Sequence, residues 1–242
     1  MGASGEVRFS GAEEFALRKA ILIYADSKSQ PAYATVHDVQ VDENGKSTVL
    51  AGVAATVQSV AEIARLLIRQ VKIGDFLPEN ILSVGIDSLV WWVPPARKRV
   101  FFNSEKLGGE CSAEIPHPGL IFRVSGESAW SVFAVKGKDR PTPGTPLFLA
   151  PYFNVWADGK ICIGNVITPS GSAADTISAW EKAFFGSYFT HPNVHAPEKL
   201  VNHTGGAYGF WKKMLDGKYK RFPERVLVDM ECTLSDLLND RL

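Results

Sequence analysis

Asn154 and Cys162 stand eight residues apart in the segment Phe153–Gly164 and pair a carboxamide with a thiol across an Asp158-Gly159 step. A thiolate forms an energy-rich ester that can be passed on, which a hydroxyl does less well, so the pair suits acyl transfer without hydrolysis. When an amine attacks such a thioester, negative charge gathers on the carbonyl oxygen. One well-placed hydrogen-bond donor there contributes about 3 kcal/mol, and Asn154 is the candidate donor. Asp158-Gly159 favours a tight turn that folds the asparagine back toward the cysteine. Plainer readings stand beside these. Cys162 lies between Ile161 and Ile163, where a cysteine commonly serves as a small core hydrophobe, and Asn154 can simply hold a turn.

The flanking sequence supplies elements that could position the pair. Arg99 to Phe102, Gly119 to Val124, Ala129 to Val135 and Leu147 to Phe153 read as strands, joined at Ser125–Ser128 and Pro141–Pro146; together they make a β-meander ending at Asn154. Ala174 to Ser187 reads as an amphipathic helix with Ile177, Trp180 and Phe184 on one face. Upstream, Leu82 to Val93 reads as one buried strand stopped by Pro94-Pro95. Before it, Ser59 and Glu62 have capping-box spacing, and Val60, Ile63, Ala64, Leu67, Ile68 and Val71 recur at helical intervals. Val7 to Phe9, Ala20 to Ala25, Ala32 to Val41 and Thr48 to Val53 form a small N-terminal sheet, with a hairpin turn at Asp42–Lys46. Ala207 to Leu215 and Thr233 to Leu238 read as helices, and Arg225 to Asp229 as a strand. The expected class is α+β: a core over residues 56–200, an N-terminal β-rich extension over 1–55 and a C-terminal extension over 201–242.

Composition limits the setting. With 242 residues, 45% hydrophobic, and 26 basic against 26 acidic side chains, the chain can bury a sizeable core and carries no global field for a polyanion. Nucleic-acid binding is therefore not expected without a local patch. The stretch Phe210–Lys213 with Lys218–Phe222 interleaves aromatic and basic residues as a single-strand surface does, although its aromatics can equally pack onto the domain. Three dispersed cysteines, Cys111, Cys162 and Cys232, favour a reducing compartment over a disulfide framework. The charged N-terminus leaves no room for an apolar signal core, and the uncharged run Ser47–Ala61 is too short for a membrane span. A cytoplasmic protein without a membrane partner is expected.

The asparagine-to-cysteine spacing, followed by Thr176-Ile177-Ser178 at the start of a helix, resembles the catalytic region of ubiquitin-conjugating enzymes, where an H-P-N tripeptide precedes the thioester-forming cysteine. The order helix, meander, cysteine segment, helix is that of the same fold, and the likeness covers roughly Ser59 to Glu198. A narrower resemblance is to the PRTRC system protein B family, a prokaryotic branch of ubiquitin-conjugating-like proteins. It rests on Trp91–Pro95, Val100–Phe102, Pro116–Phe122, Val132–Ala134, Arg140-Pro141 and Pro151–Gly164. The resemblance implies a bacterial setting beside a ParB-related protein and, as partners, a ThiF-like activating enzyme and a small ubiquitin-like protein. It implies an acyl transferase charged on Cys162, with the target left open and with no metal or organic cofactor, ATP being used by the activating enzyme. The rival reading is an inactive adaptor that binds a ubiquitin-like protein or partition machinery without covalent chemistry. A cysteine hydrolase fits less well, since no Gly-rich nucleophile turn surrounds Cys162.

The pattern also departs from that family. Tyr152 and Phe153 stand in place of the histidine and proline of H-P-N. A literal His191-Pro192-Asn193 occurs later, but the next cysteine is Cys232, so its spacing does not match the thioester motif. Its surroundings, Thr190–Glu198, resemble the D-P-N-P loop that flanks the family's active site, and His195 or Glu198 is the candidate for orienting an incoming nucleophile, against a solvated loop as the alternative. A metal held by His191 and His195 is not expected, because Pro192 breaks the helix that would align them. Arg65 and Arg69, with Lys72, share a helix face where the family docks its activating enzyme; an exposed polar face explains them as well.

Overall fold

The computed structural model describes residues 17–27, 31–42, 45–56, 58–59, 77–85, 87–126, 129–164, 166–169, 171–172, 174–196, 199–239 and 241. The chain forms two compact units, Met1–Asp75 and Phe76–Leu242. The strand expected at Val7–Phe9, the apolar positions of the helix after Ser59, the arginines Arg65 and Arg69, Lys72, and Glu198 lie outside the described residues.

In the first unit β1 (Lys19–Ala25), β2 (Pro31–Val41) and β3 (Ser47–Ala54) form an antiparallel meander. Their β-branched content and the Asp42–Lys46 turn, where the Lys46 N–H donates to Asp42 Oδ1 at 2.8 Å, explain the hairpin. His37 on β2 faces Gly52 on β3, and a Cβ at Gly52 would meet the imidazole at 2.3 Å, so only glycine fits beneath that ring. Thr56 and Ser59 exchange reciprocal side-chain to backbone bonds of 2.8 and 3.1 Å, and Glu62, the expected partner of Ser59 in a capping box, lies outside the described residues.

The second unit is mixed α+β and mostly antiparallel. Its six-stranded sheet runs β12-β10-β9-β8-β5-β4, built from β4 (Ile81–Val84), β5 (Ser88–Val93), β8 (Gly119–Ser125), β9 (Ala129–Val135), β10 (Pro146–Leu149) and β12 (Asp229–Thr233). The single strand expected from Leu82 to Val93 is instead a hairpin. The Gly85 N–H donates to Ser88 O at 2.8 Å and reverses the chain so that Val84 pairs Leu89. β10 is shorter than expected because Pro151 has no N–H to continue the ladder. The last strand falls at Asp229–Thr233 rather than Arg225–Asp229. Pro223 opens a 3₁₀ turn over Glu224–Val226, and pairing with β10 begins only at Asp229.

Between β5 and β8 the chain leaves this sheet as a hairpin, β6 (Arg97–Ser104) and β7 (Gly109–Pro116), to which β11 (Tyr188–Phe189) adds in parallel. The alternation of β8 shows where the core lies. Leu120, Phe122 and Val124 enter the main cluster with Trp91, Trp130, Tyr152 and Phe184, while Ile121 enters a second cluster with Phe133, Leu147 and Leu234 on the opposite face. Helix α1 (Ile177–Phe185) buries Ile177, Trp180, Phe184 and Phe185; α2 (Gly206–Leu215) buries Ala207, Phe210, Trp211 and Met214. Short α3 (Leu234–Leu238) is held by a capping box between Thr233 and Asp236 and closes the second cluster with Leu234 and Leu237. No helix among the described residues is long and apolar enough to cross a membrane.

Candidate functional site

Asp158-Gly159 makes the expected turn, and its type decides where Asn154 and Cys162 meet. The Gly159 N–H donates to Trp156 O at 2.9 Å, the Trp156 N–H donates to Lys160 O at 2.8 Å, and Gly159 has φ +82°. This is a type I turn closed by a left-handed residue, which keeps the flanking segments in antiparallel register. Val155 then bridges Ile161, both buried, and the Cys162 N–H donates to Asn154 O at 2.7 Å. The eight-residue spacing is thus a hairpin register: the two residues face each other at its open end. The Ile161 N–H to Trp130 O and the Val132 N–H to Gly159 O, both 2.9 Å, fasten this hairpin to β9.

Cys162 is half-buried and lines a cavity of about 730 Å³ together with Asn154, Lys182, Tyr188, His191 and Asn193. The fold therefore brings the later His191-Pro192-Asn193 tripeptide to the thiol, although its linear spacing gave no reason to expect that. Two links do so. Helix α1 packs its aromatic face into the core, which returns the chain through β11, and the Asn193 N–H donates to Phe153 O at 2.9 Å, beside Asn154. Asn154 Oδ1 and Asn193 Nδ2 are buried without a hydrogen-bond partner among the described residues. An unpaired buried amide atom costs about 1–3 kcal/mol, and both of these atoms are shielded from solvent. His191 is exposed, with Nδ1 2.9 Å from Thr190 Oγ1.

Tyr152 and Phe153, which precede Asn154, are held by aromatic packing. Tyr152 meets Phe184 and Trp211 edge-on or tilted at 5.0 and 5.5 Å, and Phe153 meets Phe102 and Tyr208 at 5.3 and 5.1 Å. Trp211 Nε1 adds a bond of 2.8 Å to Pro151 O. Burial pushes the Tyr152 hydroxyl well above the ordinary phenol range, so it stays protonated.

His195, the expected orienting residue, does not reach this cavity. It lines a separate depression of about 400 Å³ with Lys199 and Asp229, because buried Val194 turns the chain between them. The other cysteines sit on sheets: Cys111 on β7 and Cys232 on β12, each half-buried. Burial pushes both thiols up, and at Cys232 Asp236 and Asp229 push further, which lowers thiolate content and reactivity. Among the described residues no three His, Cys, Asp or Glu side chains cluster as a metal site.

No curated protein and no solved structure matches this chain. A family model described as prokaryotic E2 family D matches residues 58–230. The matched region takes in every segment that builds the Cys162 cavity, and it ties the chain to ubiquitin-conjugating-like function. Since the match extends over well beyond half of its length, the chain belongs to prokaryotic E2 family D.

Proposed function

We propose that the protein carries a ubiquitin-like protein as a thioester on Cys162 and transfers it to a nucleophile on a target. In the first step Cys162 Sγ attacks the thioester carbonyl held by a ThiF-type activating enzyme. A new carbon–sulfur bond forms, the old one breaks, and the donor thiol leaves with the proton from Cys162. In the second step an amine attacks, an amide forms and the Cys162 thiol is released. The observation that carries this reading is the meeting of Cys162 with two carboxamides at one cavity, Asn154 through the hairpin register and Asn193 through its bond to Phe153 O. Either amide N–H is a candidate donor to the oxyanion. His191, which lines the same cavity, is our candidate to receive the proton of the incoming amine, in preference to His195.

The ubiquitin-conjugating arrangement is the fold reading that goes with this: meander, cysteine hairpin, then α1. The narrower PRTRC system protein B assignment rests on the Trp91–Pro95, Pro116–Phe122 and Pro151–Gly164 stretches. The test mixes the purified protein with a neighbouring activating enzyme, its ubiquitin-like protein and ATP, and records intact mass with and without thiol reductant. A reductant-sensitive adduct, absent from Cys162→Ala, is the expected result.

One observation favours the adaptor reading instead: among the described residues no side chain hydrogen-bonds Cys162 Sγ, so no base is seen on the thiol. An active activating enzyme that leaves the protein uncharged would decide for non-covalent binding.

A further inference from the structure

A second cavity of about 700 Å³ opens where the connections β5–β6, β7–β8 and β9–β10 meet the segment after α2. It shares no lining residue with the first. Pro95, Pro116, Pro118 and Phe222 form apolar walls, and Arg97, Lys138, Lys220 and Arg221 supply four cations. Against these stands one lining carboxylate, Glu224, whose Oε1 already accepts the Gly137 N–H at 2.8 Å. Arg97 is partly engaged by Glu114 at 3.8 Å. Lys138, Lys220 and Arg221 form no ion pair among the described residues. On a chain of zero net charge this is a local excess of positive charge gathered around a concave surface.

The same residues resolve the aromatic and basic stretch noted in the sequence. Phe210 and Trp211 are fully buried, at 0% and 1% exposure, and cannot stack on bases, while Tyr219 is half-buried against the core. The basic side chains of Lys220 and Arg221 remain outside. A nucleic-acid strand would find charge here without the run of stacking platforms it uses. His117 is buried in the cavity wall, its ring donating from Nδ1 to Pro118 O at 2.6 Å.

We infer that this cavity is a docking site for an acidic peptide segment of a partner protein, with carboxylates on Arg97, Lys138, Lys220 and Arg221 and an apolar residue between the prolines and Phe222. The inference is independent of thioester chemistry at Cys162. The test is fluorescence anisotropy of the full chain with a fluorescein-labelled peptide of four glutamates around one leucine. Reversing two rim charges together, Lys220→Glu with Arg221→Glu, is expected to weaken binding roughly tenfold or more. Lys212→Glu, on exposed α2 surface outside the cavity, is expected to leave it unchanged. Thermal unfolding of each variant verifies that the fold is kept. Oligothymidylate of equal charge is expected not to displace the peptide. Absence of wild-type binding, equal loss in Lys212→Glu, or displacement by oligothymidylate would each overturn the inference, the last in favour of nucleic acid.

Discussion

The cavity at Cys162 and the cavity between Pro95 and Arg221 are nearly equal in volume, about 730 and 700 Å³, yet their polar groups are placed in opposite ways. At Cys162 the polar groups are mainly neutral side-chain amides carried on a hairpin and a loop that backbone bonds hold in place. At the other cavity the polar groups are mainly long cationic side chains on an exposed rim. Buried, fixed dipoles act strongly on a charge that develops at one point, because they need no reorganisation. Exposed cations act weakly at any one point but steer and select a charged partner. The first arrangement suits chemistry and the second suits docking.

The sharpest way to break this comparison is at the thiol. Cys162→Ala is expected to abolish the reductant-sensitive adduct, whereas Cys111→Ala and Cys232→Ala, whose thiols burial pushes up, are expected to retain it in intact-mass measurements. If Cys111→Ala or Cys232→Ala removed it instead, the first cavity would lose its claim to chemistry.

Next come the amides. Asn193→Ala and Asn154→Ala are each expected to slow transfer to an amine by roughly 100-fold if they donate to the oxyanion, while charging from the activating enzyme persists; single-turnover discharge separates the two. A slowed Asn193→Ala beside a normal Asn154→Ala would make Asn154 a structural residue of the hairpin.

Gly159→Ala tests the support of the site. At φ +82° an added Cβ would also meet the buried Phe133 ring at 2.4 Å. A loss of at least about 2 kcal/mol in chemical denaturation is expected, with discharge impaired and acidic-peptide binding kept. Equal damage to both functions would mean that the two cavities are not separate devices.

The smallest expected effect lies at the second cavity. Burial, with help from Lys98 and against the bond to Pro118 O, lowers the His117 pKa to about 4. The unfolded chain, with an ordinary histidine, binds more protons between that value and about 6.5, so stability rises with pH across this window and falls on acidification. Between pH 7 and pH 5 the loss is expected to be about 2 kcal/mol. His117→Gln should flatten that part of the stability profile, and an unchanged slope would show that the ring titrates normally.

How much of this was legible before folding depends on distance along the chain. The Asp158-Gly159 turn, strand Ala129–Val135 and the helix beginning at Thr233 were all readable, because a turn, a two-residue alternation and a helical period are decided by neighbours within a few positions. β7 and β11 were missed. The exposed positions of β7 alternate with half-buried ones and carry little apolar signal, and β11 is only two residues long and exists through its pairing with β6. The hairpin at Gly85 was read as a single strand because apolar residues flank it on both sides.

By itself, the sequence determined that Asn154 and Cys162 would face each other, since eight residues around a left-handed glycine turn set a hairpin register that needs only local bonds. Only the tertiary structure decided that Asn193 and His191 join them, that His195 does not, and that Lys220 and Arg221 meet Arg97 and Lys138. Those meetings depend on where α1 and α2 bury their aromatic faces, and burial is settled by the whole core at once, not by spacing along the chain.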